Sequence, residues 1–419
     1  MSADDDILHI IHLLLAVVLQ LLTQGLASEP KTRQRCHKRK RIDWEARAQL
    51  LEETGNFERC YKMSRVAFDR LLVLLDRRSK TGIEPISPEN KLQMFLRYMS
   101  GGSCHDIIAY SGTAFYDCIH QVMDALLDHP ELRIKFPEED AEQLRGMRGF
   151  KAHSNGSVMR GCVGAIDGWL CQIDVSRKTE VPKACCDYLS RFTSVAITSP
   201  GGTGDSAAFG EWGLASIVAK LPIGRFLVGD NAYANGNRLL TPFARPSITD
   251  DYRDSFNYHL SQLRIRIEMS FGLLVRKWRV FRSPLQVKFD NVSRVIMAGC
   301  ILHSWCINQR LAEDPEYSPE NDEVLVEGIA EIERVDNRRA KTRRTTDQRT
   351  ANPRTENEHD DNSAYRRLYM SPDLETRQRE IVDGDKNLVR NAIVNLLRRN
   401  NRKRPQRNIN RRVRMDAQQ

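Results

Sequence analysis

One stretch constrains this chain more than any other. Residues 161–174, G-C-V-G-A-I-D-G-W-L-C-Q-I-D, form an apolar run with a carboxylate, Asp167, in its middle. Cys162, Val163, Ala165, Ile166 and Trp169 read as a buried strand and its exit, and a charge among them must find a partner, a proton or a metal ion. Two later stretches repeat the pattern. In F-L-V-G-D (226–230) a short apolar strand closes on Asp230, and in L-R-I-R-I-E-M (263–269) Glu268 interrupts an apolar helical pattern. Three acids on separate elements suit a divalent-metal site over a nucleic-acid phosphate. Two ions about 4 Å apart can activate water and steady a leaving oxygen in an in-line displacement. Mg²⁺ or Mn²⁺ takes oxygen ligands and keeps several waters, so a few carboxylates suffice.

Each acid also has a plainer role. Asp167-Gly168 can turn a hairpin, Asp230-Asn231 can open a loop, and Glu268 can pair with Arg264 one helical turn earlier. The helix carrying Glu268 has an apolar stripe of Leu260, Leu263, Ile267, Phe271, Leu274 and Trp278. Glu268 therefore lies about 100° round from Ile267, on the flank of the buried face. Asp205, after a Gly-rich turn, reads from residue type as a helix N-cap.

Residues 161–310 alternate strands and helices, an α/β pattern. Strands are expected near 161–173, 191–198 and 225–229, and helices near 206–220, 257–278 and 291–310. Before them, residues 42–150 read as helical. The order includes a helix around Val66–Leu75 and another opened by Ser87-Pro88. A short helix over Cys104–Tyr110, a turn, and a third helix capped by Thr113 complete it. That is a helix-turn-helix order, whose third helix, bearing Thr113 and His120, would enter a major groove. A plain helical bundle fits the same pattern.

The termini are biased. Residues 7–26 are apolar enough to raise a membrane span, but an acidic start and several His and Gln favour a buried or partner-binding helix. A basic run follows at 31–41, including Lys38, Arg39, Lys40 and Arg41, suited to nuclear import or phosphate contact. Residues 311–336 carry ten Asp/Glu and one Arg, and 397–414 carry nine Lys/Arg, Arg402, Lys403 and Arg404 among them. The charge runs read as a disordered tail with one short helix near 387–399 and basic residues able to attract DNA. Ten Cys without a C-x-x-C pair point to a reducing, intracellular compartment.

The motifs G-A-I-D-G, L-V-G-D-N-A-Y followed by L-L-T-P-F, and I-E-M-S-F-G-L-L-V-R-K-W-R-V resemble the Harbinger-type transposases and their domesticated relatives. The resemblance covers about 60–310. It implies a DDE endonuclease with an RNase H-like mixed-sheet core, Asp167, Asp230 and Glu268 as catalytic metal ligands, and Asp205 as a further ligand. It also implies a nuclear protein that cuts transposon ends, with DNA and a Myb-like helper as partners, homo-oligomers left open and no small-molecule cofactor. The expected division is 1–41 (apolar segment and basic arm), 42–150 (helical), 158–310 (endonuclease) and 311–419 (tail). C-I-L-H-S (300–304) is similar to the family's C-x-L-H-N. One departure stands out: between Asp167 and residue 191 the chain is compressed to V-S-R-K-T-E-V-P-K-A-C-C-D (175–187). Most of a central strand is therefore expected to be lost, leaving Asp167 poorly held and favouring, as the alternative, a derivative that binds DNA or protein without cutting.

Overall fold

A computed structural model describes residues 12–20, 43–75, 86–102, 112–173, 179–180, 182–197, 205–244, 247–319 and 384–405. It divides into two units, 1–42 and 43–419. In the first, residues 12–20 are helical, with Leu13, Leu14, Leu15, Val17, Val18 and Leu19 exposed. Among the described residues no helix is long and apolar enough to cross a membrane. Lys38, Arg39, Lys40 and Arg41 lie outside the described residues.

Among the described residues the second unit opens with six helices: α1 Trp44–Glu53, α2 Phe57–Tyr61, α3 Arg65–Leu75, α4 Pro88–Met99, α5 Gly112–Asp128 and α6 Asp140–His153. Ser87 caps α4, its hydroxyl accepting from Asn90 N with Pro88 in the first turn, as the sequence predicts. Thr113 does not cap α5. The helix already includes Gly112, which puts Thr113 inside its first turn, exposed, while His120 is half-buried further along. The short helix expected at Cys104–Tyr110 falls outside the described residues.

The sheet has five strands: β1 Cys162–Gly168, β4 Lys183–Cys186, β5 Phe192–Ala196, β6 Phe226–Val228 and β7 Leu239–Leu240, in the order β5-β4-β1-β6-β7. A separate two-stranded ribbon joins β2 Cys171–Gln172 to β3 Thr179–Glu180. Strands β1, β4 and β5 pair antiparallel, and β6 and β7 run parallel to β1. The expected loss of the central strand does not occur. K-A-C-C of β4 pairs with β1 on one side, Asp167 opposite Ala184, and with β5 on the other. All four of its residues are buried, so the compressed segment keeps the ladder bonds that hold β1.

Side chains alternate across a strand. Ile166 faces one side and packs with Val163, Cys185 and Leu227 against α8 Gly213–Ala219 through Leu214 and Val218. Asp167 therefore faces the other side, where α9 Asp251–Lys277 crosses β1 and β4. The stripe expected on α9 is wholly buried, from Leu260 to Trp278. The helix begins six residues earlier than the sequence suggests, because Asp250 caps it by accepting from Tyr252 N and Arg253 N. The helix expected over 206–220 is two, α7 Asp205–Glu211 and α8, broken at Trp212.

The long helix α10 Phe289–Glu313 ties the helical part to the sheet. Arg294 pairs with Asp124 of α5, and Arg310 with Glu58 of α2. Its C-I-L-H-S segment anchors the β4–β5 turn: His303 Nε2 donates to Ser190 O at 2.8 Å and Ser304 Oγ accepts from Phe192 N at 3.1 Å. Burial pushes the His303 imidazole down from 6.5 to about 4, with the Lys277 charge adding to the fall and the Ser190 bond opposing it. The unfolded chain thus takes up this proton before the folded one does. The stabilisation is complete above about pH 6.5 and is lost as pH falls through about 4, an effect of about 3 kcal/mol. In urea titrations at pH 7 and pH 4, His303→Gln should show a loss smaller than wild type by roughly that amount. An equal loss in both proteins would refute this role.

The last helix, α11 Leu388–Arg399, is the short one expected in the tail. It is not loose. Val389, Ile393, Val394 and Leu397 are buried, and Arg390 lies over the Phe243 ring at 4.1 Å.

Candidate active site

Strands β1 and β6 are neighbours and run the same way, with Ala165 opposite Val228. Asp167 is two residues beyond Ala165 and Asp230 two beyond Val228. Both acids therefore emerge at the carboxyl ends of adjacent parallel strands, where α/β sheets build their sites. Asp167 Oδ1 accepts from Gly168 N at 2.8 Å, and Asp230 Oδ1 accepts from Ala232 N at 3.0 Å. Each carboxylate is thus oriented by its own turn.

Glu268 arrives from α9. Its side chain is 47% exposed, on the flank of the buried stripe, as the helical spacing predicts. Between Glu268 and Asp167 sits Arg264, with Nη1 3.2 Å from Asp167 Oδ2 and Nη2 2.7 Å from Glu268 Oε1. The plainer role foreseen for Glu268, pairing one turn back, is realised, and the same guanidinium reaches Asp167. Sequence reasoning found the pair on the helix but missed the second bond. No local signal carries it, because the partner lies 97 residues away.

Burial, with the negative charges of Asp230 and Glu268, raises the Asp167 carboxyl to about 6, against the Gly168 N–H and Arg264. Three acids thus share one field at the end of β1, with Arg264 as the cation that opposes them. Among the described residues no three His, Cys, Asp or Glu side chains are close enough together to hold a metal ion. The donor set still fits a hard divalent cation. It consists of carboxylate oxygens, their repulsion would be relieved by positive charge, and Mg²⁺ commonly needs only one or two protein carboxylates beside substrate phosphate. Asp205 is the first residue of α7, and its side chain lies outside what the structure describes.

The last described segment, 384–405, fastens two of the site's supports together. Asn235, five residues after Asp230, donates to Asn387 Oδ1 at 2.9 Å, and Asn237 Oδ1 accepts from Val389 N at 3.2 Å. At the other end Arg398, Lys403 and Arg404 pair with Asp250, Asp251 and Asp254, all at the start of α9. Ser255 Oγ donates to Arg402 O at 2.9 Å. Lys403 and Arg404, expected among the DNA-attracting residues, each pair with a carboxylate at the start of α9. Acids in the first turn of a helix are favoured by its dipole, and here they also recruit the basic tail.

With the acids placed, comparison with known proteins becomes specific. Residues 177–304 match a family of DDE superfamily endonucleases, a span that takes in Asp205, Asp230 and Glu268. Proteins named "Putative nuclease HARBI1" from Rattus norvegicus and Homo sapiens are each 26% identical over 245 residues, covering 52% of this chain and 67% of theirs. The Xenopus laevis protein of the same name is 23% identical over 245 residues, covering 54% of this chain and 70% of its own. The likeness to Harbinger-type transposases expected from the motifs is thereby met. No solved structure matches the chain. Strand β1 and Asp167 precede the matched span.

Proposed function

We propose that this protein is a divalent-metal-dependent DNA endonuclease of transposase origin. It cuts phosphodiester bonds at transposon ends and joins the freed 3′-hydroxyl to target DNA. The observation that carries this reading is the placement of Asp167 and Asp230 just beyond the paired ends of adjacent parallel strands, with Glu268 of α9 near enough for its charge to act on Asp167. A sheet with three antiparallel strands continued by two parallel ones supports an RNase H-like core. Asp167 and Asp230 would hold Mg²⁺ or Mn²⁺, with Glu268 and Asp205 completing the shell; when bound, the metal supplies Lewis acidity toward water and the phosphate oxygens. The chain's own groups set the conditions for that. The Gly168 and Ala232 amides fix one oxygen of each aspartate, and Arg264 holds the second oxygen of Asp167. Arg264 neutralises the acids in the absence of other cations and keeps Asp167 ionised against its raised pKa. The reading includes DNA and a Myb-like helper as partners and work in the nucleus, as the family likeness implies.

A second reading has its own support: Arg264 ties Asp167 to Glu268, so the protein could be a binding derivative that no longer cuts. Nicking of supercoiled plasmid by the purified protein, with Mg²⁺ or with EDTA, separates the two. Metal-dependent nicking supports the first, and DNA binding without nicking supports the second.

A further inference from the structure

Where the helical part meets the end of α9, four basic residues come together from separate elements. Lys62 ends α2 in a left-handed conformation, φ 64°, an uncommon choice for a lysine. Arg97 lies in the last turn of α4, Lys277 closes α9, and Arg279 opens the turn that follows. The packing that gathers them is specific. Gly101, φ 81°, lies so close to Arg279 that a Cβ there would stand 2.8 Å from Arg279 Cβ. Cys306 of α10 bonds through Sγ to Lys62 O. Among the described residues, no carboxylate forms an ion pair with any of the four. The charges bear on one another: burial pushes the Lys62 ammonium down, and Arg279, Arg97 and Lys277 push it further. Arg279 is exposed and the other three are half-buried.

Like charges gathered without acids raise the free energy of the fold unless an anion meets them. The cluster is tied to the acids through one aromatic group. Trp169, two residues after Asp167, stacks on Phe271 of α9 at 5.9 Å and meets Phe281, two residues after Arg279, edge-on at 5.4 Å. Along α9, Lys277 follows Glu268 by nine residues, about 14 Å of rise, or roughly four base-pair steps of duplex.

We propose that Lys62, Arg97, Lys277 and Arg279 form a phosphate-binding surface that grips the DNA backbone beside the acidic site. It deepens the endonuclease reading and rests on it. Such contacts position a duplex without reading its sequence, so the surface takes the backbone and leaves recognition to other elements.

The test is fluorescence anisotropy with a 30-base-pair duplex of arbitrary sequence, in EDTA, over a salt series. The full-length wild type is compared with Arg279→Gln and with the fourfold Lys62→Gln, Arg97→Gln, Lys277→Gln, Arg279→Gln variant. The fourfold change should flatten the slope of log K against log salt by about 3 to 4 and weaken binding at least tenfold near 0.1 M salt. The single change should flatten it by about 1, and the melting temperature should hold or rise in both, since repulsion is removed. An unchanged slope in variants of a wild type that does bind duplex overturns the surface and leaves the nuclease reading standing. A wild type that binds no duplex overturns both.

Discussion

Asp167→Asn is expected to remove metal-dependent nicking, lowering the rate by at least about a thousandfold, with the fold intact. The side chain keeps its shape and can still accept from Gly168 N, and the backbone pairing with Ala184 does not involve it. What changes is charge. The group that burial and two neighbouring acids raise to about 6 ceases to ionise, so Arg264 loses one of its two anions and a cation loses its most buried ligand. Loss of a charge held against desolvation should leave stability unchanged or slightly higher, since the site is strained by repulsion. Nicking that persists at wild-type rate, in a variant with wild-type circular dichroism, would remove Asp167 from the chemistry.

The second large effect is structural. Gly161→Ala should fail to fold or lose more than about 4 kcal/mol. A Cβ at Gly161 would lie 1.8 Å from Gly224 O, a backbone atom, and 2.8 Å from the Phe226 ring. Neither can move cheaply. Gly224 turns the chain at φ 93° into β6, and Phe226 N donates to Gly161 O at 2.9 Å to begin the β1–β6 pairing. This contact sets the alignment of the two strands, and hence the spacing of Asp167 and Asp230 at their far ends. Soluble yield and urea unfolding read the result. A variant as stable as wild type would show that the turn can shift, and would call the alignment into question.

What could be read from the sequence follows the reach of each signal. Local periodicity placed α9 correctly on its stripe and put Glu268 on its flank, because helical geometry alone decides that. Apolar runs located β1, β5 and β6. The start of α9 lies six residues before its apolar pattern, because Asp250 and the distant tail extend it there. K-A-C-C was undervalued as a strand. Four residues carry little periodicity, and its identity comes from being flanked on both sides by partners. The basic run at Arg402–Arg404 looked available because its acids lie some 150 residues earlier. Arg264 was visible as a partner for Glu268 and invisible as one for Asp167, for the same reason. The expectation that acids so far apart meet rests on their shared setting at the edges of apolar elements and on the motifs, not on spacing.

The central claim is that Asp167, Asp230 and Glu268 serve one cation. Titration of the metal-free protein with Mn²⁺, followed by electron paramagnetic resonance of the free ion, tests it without substrate. Wild type should take up Mn²⁺, and Asp167→Asn, Asp230→Asn and Glu268→Gln should each weaken uptake at least tenfold. Equal uptake by all four proteins would contradict the shared site.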